Sequence, residues 1–264
     1  MDEIKHIKAG ISPCPNDSYI FAAWIMGLVN DVPGFKTRFE WADVQALNEM
    51  CTAGSKDIIK VSAAMAVRLT EKYTILESGG AFGITDGPKL VVRSDYKKRP
   101  RTIAVPGMDT SAYALLHASM HGDFEPRPML FNKIPAALRQ GQVDGGVLIH
   151  ESALVYKQYA LELYLDLGKW WFDFSRGQPI PLGCILALKD SLGGHEERIS
   201  ATIRQSIDYA RNKPQNIWPV VRSLAQETSP DVLRRHINAY VNEFSYVMGD
   251  PGQKALDILA GFVC

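Results

Sequence analysis

The stretch IKAGISPCPNDSYIFAAWIMGL, residues 7–28, decides the fold. Its first five residues, Ile7–Ile11, are a short β-type run that predicts a buried strand. Two prolines stiffen the turn Ser12–Ser18, and Asp17–Leu28 is predicted to be a helix. A strand that enters a helix through a short turn is the first half of a βα unit, which is typical of α/β proteins.

The same alternation continues along most of the chain and is typical of βα units with parallel sheet. The other predicted strands are Arg38–Trp41, Asp57–Val61, Thr74–Glu77, Lys89–Arg93, Thr102–Val105, Met129–Phe131, Gly145–Ile149 and Leu182–Leu188. The other predicted helices are Val44–Ala53, Met65–Tyr73, Ser111–His121, Ile134–Gln140 and Glu151–Tyr159, followed by helix almost throughout Glu196–Leu259.

Two runs of βα units within 264 residues predict two α/β lobes with a helical C-terminal tail. The strands Lys89–Arg93 and Leu182–Leu188 are the candidate crossovers between the lobes. We therefore predict lobe 1 over 1–92, lobe 2 over 93–186 and a return to lobe 1 over 187–264. Ligands of open α/β sheets bind beyond the carboxyl ends of the strands, so functional residues are expected where a strand meets a helix, in a cleft between the lobes.

Composition excludes several classes of protein. The 29 basic and 29 acidic residues cancel, and the basic run Lys97–Arg101 lies between two predicted strands, so a nucleic-acid-binding protein is not expected. No apolar stretch is long enough to cross a membrane, and the charged N-terminus lacks the apolar region of a secretory signal. The four cysteines, Cys14, Cys51, Cys184 and Cys264, are scattered without a CxxC pair. We expect a cytoplasmic protein with reduced thiols.

The first two strand-to-helix turns carry polar candidates. In the first turn, Ser12, Asn16 and Asp17 lie at the start of a helix, where either Asn16 or Asp17 is expected to cap the helix. Cys14 is a weaker candidate, because a thiol near a helix N-terminus can have a lowered pKa but no base adjoins it in sequence. In the second turn, Ser62 ends a buried strand and is expected either to cap the next helix or to bind a ligand.

The third and fourth turns carry the strongest candidates. Thr110 and Ser111 bring two hydroxyl groups to the N-terminus of a predicted helix, a combination that suits a carboxylate or a phosphate. His150 follows an apolar strand directly and is expected to face the cleft, where an imidazole suits proton transfer at neutral pH. A histidine that bonds to backbone or only orients a ligand remains the alternative. Glu151 lies about 100° further around the helix, so adjacency alone does not make it the partner of His150.

Two further patterns are weaker candidates. His117 and His121 are four residues apart on one predicted helix, but no third ligand accompanies them, so no metal site is predicted. Trp170 and Trp171 could equally line an aromatic ligand or bury the edge of a lobe.

Several blocks along the chain, taken together, resemble the 1,4-dihydroxy-6-naphthoate synthases, enzymes of menaquinone biosynthesis. The blocks are Ser12-Pro13-Cys14-Pro15-Asn16-Asp17, Ser78-Gly79-Gly80-Ala81, Ala104-Val105-Pro106-Gly107, Ile149-His150-Glu151-Ser152, Asp166-Leu167-Gly168, Pro181-Leu182-Gly183 and Tyr240-Val241-Asn242. The sequence departs from the family pattern at Ser18 and Ser111, where threonine is usual, and at the less glycine-rich Ile84-Thr85-Asp86.

This resemblance implies a type II periplasmic-binding-protein-like fold whose two lobes close over a small aromatic carboxylate. It implies that His150 is the catalytic base, that Ser62, Thr110 and Ser111 contact substrate, and that the Ser12–Asp17 turn lines the site. It also implies a cofactor-independent cleavage of cyclic dehypoxanthinyl futalosine to 1,4-dihydroxy-6-naphthoate and dihydroxyacetone. A chorismate dehydratase-like enzyme and a non-catalytic solute-binding protein are the alternatives, and both a monomer and a homodimer stay open.

Overall fold

The computed structural model describes residues 5–225 and 229–263. Cys264, one of the four cysteines, lies outside the described residues. The strands are β1 Lys5–Ile11, β2 Phe35–Trp41, β3 Ile58–Ser62, β4 Tyr73–Ile75, β5 Ala81–Gly83, β6 Lys89–Arg93, β7 Thr102–Val105, β8 Glu125–Pro128, β9 Gly145–Leu148, β10 Leu161–Asp166 and β11 Ile180–Leu188. The helices are α1 Pro15–Ile25, α2 Val44–Thr52, α3 Ala63–Arg68, α4 Ser111–Met120, α5 Ile134–Arg139, α6 His150–Leu154, α7 Leu167–Ser175, α8 Lys189–Leu192, α9 Glu196–Asn212, α10 Pro214–Leu224, α11 Pro230–Tyr240, α12 Glu243–Tyr246 and α13 Gly249–Ala260.

The strands form two separate sheets, and both sheets mix parallel and antiparallel pairs. The first sheet has the order β2-β1-β3-β11-β4, with β5 paired to the other end of β11. Here β1 is parallel to β2 and β3, whereas β11 is antiparallel to β3, β4 and β5. The second sheet has the order β10-β6-β9-β7-β8, with antiparallel pairs at β6 and parallel pairs at β7. The expectation of parallel sheet therefore holds only for the βα units. The strands by which the chain enters one sheet from the other, β6 and β11, are antiparallel to their neighbours.

The α/β class with two sheets and a helical C-terminal segment is confirmed. The chain leaves the first sheet after β5 and enters the second at β6, and it returns at β11. The lobe boundaries 1–92, 93–186 and 187–264 stay a prediction.

The core beside β1 shows why the N-terminal stretch folds as it does. Ile7, Ala9 and Ile11 of β1 are fully buried and pack against Ile20 and Phe21 of α1. Helix α9 closes this core with three fully buried isoleucines spaced four residues apart, Ile199, Ile203 and Ile207. Such a stripe is the apolar face of an amphipathic helix, and it holds α1 and its N-terminal turn in a fixed place over the sheet.

Several predicted elements are wrong in position or extent. Met129–Phe131 is not a strand, because the strand precedes it at Glu125–Pro128. Its two prolines are tolerated because β8 is the edge strand of the second sheet. The helix predicted over Met65–Tyr73 ends at Arg68, since Tyr73 opens β4.

Two strands, β5 and β10, and two helices, α7 and α8, were not predicted. Helix α7 begins where the side chain of Asp166 accepts hydrogen bonds from the Gly168 and Lys169 N–H groups, an N-cap that was visible in the sequence. The helix predicted over Glu151–Tyr159 is divided into α6 and a short 3₁₀ turn, Tyr156–Tyr159.

Among the described residues, none of the helices combines the length and the apolar character that crossing a membrane requires. Two residues of the basic run form exposed ion pairs, Lys97 with Glu162 at 3.4 Å and Arg99 with Asp123 at 3.0 Å.

Candidate active site

A cavity lies between the two sheets, at the turns where strands end and helices begin. Its empty space is about 680 Å³, a volume that includes open solvent at its mouth. All seven residues that the sequence singled out for the site line this cavity: Ser12, Asn16, Asp17, Ser62, Thr110, Ser111 and His150. The four turns, which are far apart in sequence, therefore meet in one place, while the chemical role of each residue stays a prediction.

His150 is held in an unusual backbone conformation at the cavity. It follows β9 as the first residue of α6, and its φ of 54° lies in the left-handed region, which few residues other than glycine adopt. Its ring packs edge-on against Phe131, with ring centroids 5.0 Å apart. Backbone strain of this kind persists where the surrounding structure enforces it and is frequent at functional sites.

The imidazole of His150 is neutral at physiological pH. Burial lowers its pKa from 6.5 to about 4, and the nearby Lys60 cation lowers it further, while the Asp17 carboxylate opposes the shift. A neutral imidazole carries one free lone pair, so His150 can accept a proton.

We expect His150 to titrate near pH 4 in the folded protein, as followed by NMR of its ring carbon-bound proton. Because the folded pKa lies below the unfolded value of 6.5, the unfolded chain takes up the proton first as the pH falls. The contribution of His150 to stability is therefore fully present above pH 6.5 and declines from there towards pH 4. A titration midpoint between pH 6 and 7 would contradict the lowered pKa of the ring.

The hydroxyl groups of Thr110, Ser111 and Ser62 already have partners within the protein. Thr110 caps α4, accepting from the Tyr113 N–H at 3.2 Å and donating to the Gly107 carbonyl at 2.7 Å. Ser111 and Ser62 instead connect the two sheets. The Ser62 hydroxyl accepts from the Ser111 N–H at 3.3 Å, and the Ser111 hydroxyl accepts from the Ala64 N–H at 3.1 Å.

These contacts refine two expectations. Capping accounts for Thr110, while Ser111 uses its hydroxyl to reach Ala64 and the Leu182 carbonyl, at 3.0 Å, on the first sheet. Ser62 occupies the N-cap position of α3 but forms no side-chain capping bond. The three residues thus form a hydrogen-bonded polar strip on the cavity wall. A bound anion would have to replace some of these internal hydrogen bonds.

The start of α1 differs from the prediction. The helix begins at Pro15 with Cys14 at the N-cap position and without a side-chain cap, so neither Asn16 nor Asp17 caps it. Both side chains turn inwards instead. The Asn16 amide donates to the Asp17 carboxylate at 2.8 Å, and the Lys60 ammonium pairs with the same Asp17 oxygen at 2.7 Å. Asp17 is fully buried.

Two residues of this network, Lys60 and His236, were missed by the sequence analysis. His236 on α11 is buried, lines the cavity and lies with its Nε2 atom 3.0 Å from the Asn16 Oδ1 atom. Its ring centroid is 6.2 Å from that of His150. The Lys60 side chain fits because it runs past Gly183, the β11 partner of Ser62, where an added methyl group would lie 2.8 Å from the Lys60 Cε atom.

The remaining candidates have structural surroundings. Burial raises the pKa of the Cys14 thiol well above its usual value, which is the opposite of the lowered pKa that a helix N-terminus can produce, and this agrees with its place as a weaker candidate. Trp171 is fully buried and donates to the Gln178 and Pro179 carbonyls, and Trp170 stacks on Phe174. Neither tryptophan is among the described residues that line the cavity.

His117 is exposed and packs against aromatic neighbours, and His121 ends α4 in a left-handed conformation. Within residues 5–225 and 229–263, the group of three whose side chains are close enough to share a metal ion is His150, Glu151 and His236, with ligand atoms within 4.8 Å of one another. The sequence alone does not predict this grouping, because His236 comes from a different part of the chain.

The sequence profile of menaquinone biosynthesis proteins matches residues 7–263. A 1,4-dihydroxy-6-naphthoate synthase of Thermus thermophilus is 36% identical over 251 residues, covering 95% of this chain and 91% of the relative. A protein of the same name from Streptomyces coelicolor is 36% identical over 257 residues, covering 95% and 90%.

Solved structures with similar folds support the two-sheet α/β architecture. A protein from Archaeoglobus fulgidus superimposes with a TM-score of 0.90 at 30% identity, covering 97% of this chain and 96% of that one. The alkanesulfonate-binding protein from Xanthomonas axonopodis pv. citri gives a TM-score of 0.67 at 16% identity, covering 91% and 85%. The second likeness shows the fold alone, and it confirms the periplasmic-binding-protein-like architecture.

Proposed function

The chain belongs to the menaquinone biosynthesis family of enzymes, and from that premise we propose that it is a carbon–carbon lyase. It converts cyclic dehypoxanthinyl futalosine into 1,4-dihydroxy-6-naphthoate and dihydroxyacetone. The observation that carries this proposal is the neutral imidazole of His150 in a cavity between the sheets that all four predicted turns line. The site thus offers one proton acceptor, a helix N-terminus for an anion and apolar walls for an aromatic ring.

In this proposal, His150 starts a cleavage of the retro-aldol type. The imidazole takes the proton of a substrate hydroxyl, and the carbon–carbon bond at that carbon breaks. The bonding electrons pass to a carbonyl group of the other fragment, which becomes an enolate, while the hydroxyl carbon leaves as the carbonyl of dihydroxyacetone. The His150 imidazolium then returns its proton to the enolate oxygen, which gives an enol within the new aromatic ring and restores the neutral base. The two products contain all the atoms of the substrate, so the reaction needs neither an oxidant nor a reductant. Base catalysis of this kind contributes about 10²–10⁴-fold in rate.

The aromatic carboxylate is assigned to the α4 end of the cavity. The Ala112 N–H, at the second position of α4, donates no hydrogen bond within the described part of the chain, and Ala112 lines the cavity. A carboxylate there benefits from the helix dipole as well as from the Thr110 and Ser111 hydroxyls. We also propose that the reaction takes place in the cytoplasm, since the curated relatives carry the name of a biosynthetic enzyme.

The test of this function is incubation of the protein with cyclic dehypoxanthinyl futalosine. We expect a new naphthoate absorbance and one equivalent of dihydroxyacetone per naphthoate formed. A parallel incubation with chorismate tests the dehydratase alternative, for which consumption of chorismate alone is the diagnostic result. Release of naphthoate without the triose would contradict the proposed bond cleavage.

Replacing Thr110 and Ser111 together with alanine should mainly raise KM. Removing hydroxyls that hold the carboxylate equally in the ground state and the transition state weakens binding without changing the chemical step. Steady-state kinetics measures this, and Ser119→Ala is the matched control, because the Ser119 hydroxyl donates only to the Leu116 carbonyl of the same helix. A fall in kcat with KM unchanged would remove these two residues from the carboxylate site.

A further inference from the structure

The buried network at the start of α1 ends in two hydrogen-bond acceptors that have no donor. The Asp17 Oδ2 atom and the His236 Nδ1 atom are both buried and form no hydrogen bond with any described residue. Both residues line the cavity between the sheets. A buried acceptor without a donor costs free energy, so two of them in one cavity wall call for an explanation.

The protonation of His236 follows from its neighbours. The Asp17 oxygen that pairs with Lys60 is an acceptor, so the Asn16 atom that faces it at 2.8 Å must be the amide nitrogen. The Asn16 oxygen therefore faces His236, and it can only accept a hydrogen bond from a protonated Nε2 at 3.0 Å. Burial, together with the neighbouring His150, lowers the pKa of His236 well below 6.5, so the ring is neutral. A neutral ring with its proton on Nε2 leaves a lone pair on Nδ1.

We propose that Asp17 and His236 form a hydroxyl-binding pair, which accepts hydrogen bonds from two hydroxyl groups of the sugar-derived part of the substrate. This inference rests on the proposed function and adds the orientation of the substrate in the cavity. Two acceptors match a ligand that brings two O–H donors, which the sugar-derived ring supplies and the aromatic carboxylate does not.

The charges favour the same orientation. The Lys60 ammonium is already paired with Asp17, so a substrate carboxylate placed beside the Asp17 Oδ2 atom would add a second anion to an ion pair that is already neutral, in a poorly solvated place. At the opposite wall, α4 presents N–H groups and hydroxyls that suit an anion. The substrate therefore lies with its carboxylate at α4 and its hydroxyls at α1 and α11, and this places the hydroxylated ring next to His150.

Two substitutions at His236 separate the two nitrogen atoms of its ring. His236→Gln places an amide N–H near the position of Nε2, so the bond to Asn16 is kept and the acceptor at Nδ1 is lost. His236→Asn does the opposite, because the asparagine oxygen lies near the position of Nδ1 and the side chain is too short to reach Asn16. A purely structural role for His236 predicts that the second variant is the more damaged one.

The test is the binding of two compounds, measured by calorimetry with protein that also carries His150→Asn and therefore does not turn over. The compounds are cyclic dehypoxanthinyl futalosine and an analogue that lacks one hydroxyl of the sugar-derived ring, prepared for each hydroxyl in turn. With His236 present, we expect loss of one particular hydroxyl to weaken binding about tenfold, as for other hydrogen bonds to a buried partner. In His236→Gln the same loss should change binding less than twofold, and in His236→Asn it should again be several-fold. An equal loss of affinity in all three proteins on removal of that hydroxyl would overturn the proposal.

NMR of the unsubstituted protein gives an independent readout. We expect the ¹⁵N spectrum of His236 to show a protonated Nε2 and an unprotonated Nδ1, and a proton on Nδ1 would overturn the proposal without any substrate. Failure of the function itself looks different, because the unsubstituted protein would then form no naphthoate while the tautomer of His236 stays as expected. Turnover with no hydroxyl-dependent binding at His236 would leave the function intact and remove the pair.

Discussion

His150→Asn should lower kcat at least about a hundredfold, the lower end of the range for base catalysis, while the protein still binds its substrate. Asparagine cannot take up the proton that the imidazole accepts. It is also the best replacement for the backbone, because His150 has a φ of 54° and asparagine tolerates the left-handed region better than most residues. The loss of kcat therefore reports on the missing base and not on a changed backbone conformation. Steady-state kinetics measures kcat, and calorimetry on the same preparation measures substrate binding.

His117→Asn is the matched control for this experiment. His117 is an exposed histidine near the end of α4, packed against Tyr113 and Phe124, and its replacement should leave kcat within about twofold of the unsubstituted value, as expected for a surface substitution. Near-normal turnover by His150→Asn would remove His150 from the role of base.

The second large effect is expected at Lys60. Lys60→Met should destabilise the protein by about 3–5 kcal/mol at pH 7, because it leaves the fully buried Asp17 carboxylate without its cation. Adding Asp17→Asn to Lys60→Met should restore most of the stability. Urea unfolding of the single and double variants at pH 7 measures both effects.

Lys97→Met provides the comparison with an exposed pair. Lys97 and Glu162 are both largely exposed and 3.4 Å apart, so the variant should lose about 0–1 kcal/mol. If Lys60→Met were within 1 kcal/mol of the unsubstituted protein, the buried pair would not hold the start of α1 in place.

The residues at the ends of strands could be predicted because their placement is a local property. Apolar runs such as Ile7–Ile11 and Gly145–Ile149 give the strands, and the helix that follows each strand puts the next polar side chain at the sheet edge. Parallel strands of one sheet end at the same edge. We therefore expected Ser12 to lie near Ser62 in the first sheet, and Thr110 near His150 in the second, with both pairs in the cleft between the sheets. The cavity that they line meets that expectation.

Lys60 and His236 could not be found in the same way, because their surroundings are made by distant parts of the chain. The contact between His236 and Asn16 joins residues 220 positions apart. The Lys60–Asp17 pair depends on Gly183 of β11, a strand that is next to β3 in the sheet but far from it in sequence. One local signal existed. His236 occupies a buried position on α11 between Leu233 and Ile237, and a polar residue on an apolar helix face needs a partner.

The antiparallel strands and the misplaced strand near Met129 have a related cause. The direction of β11 is set by the return of the chain from the second sheet to the first, which no local pattern records. The β8 strand carries prolines at Pro126 and Pro128, which argue against a strand unless it lies at an edge. Strand propensity therefore predicts strands best in the interior of a sheet. It predicts them least well where the overall topology decides the position or direction of the strand.

The hydrogen bonds of Ser62 and Ser111 set a cost on opening the cavity at this wall. The Ser62 hydroxyl accepts from the Ser111 N–H, and the Ser111 hydroxyl accepts from the Ala64 N–H. Moving the elements that carry these residues apart would break both bonds. Since each such bond contributes about 1 kcal/mol, separating the two walls here costs on the order of 2 kcal/mol.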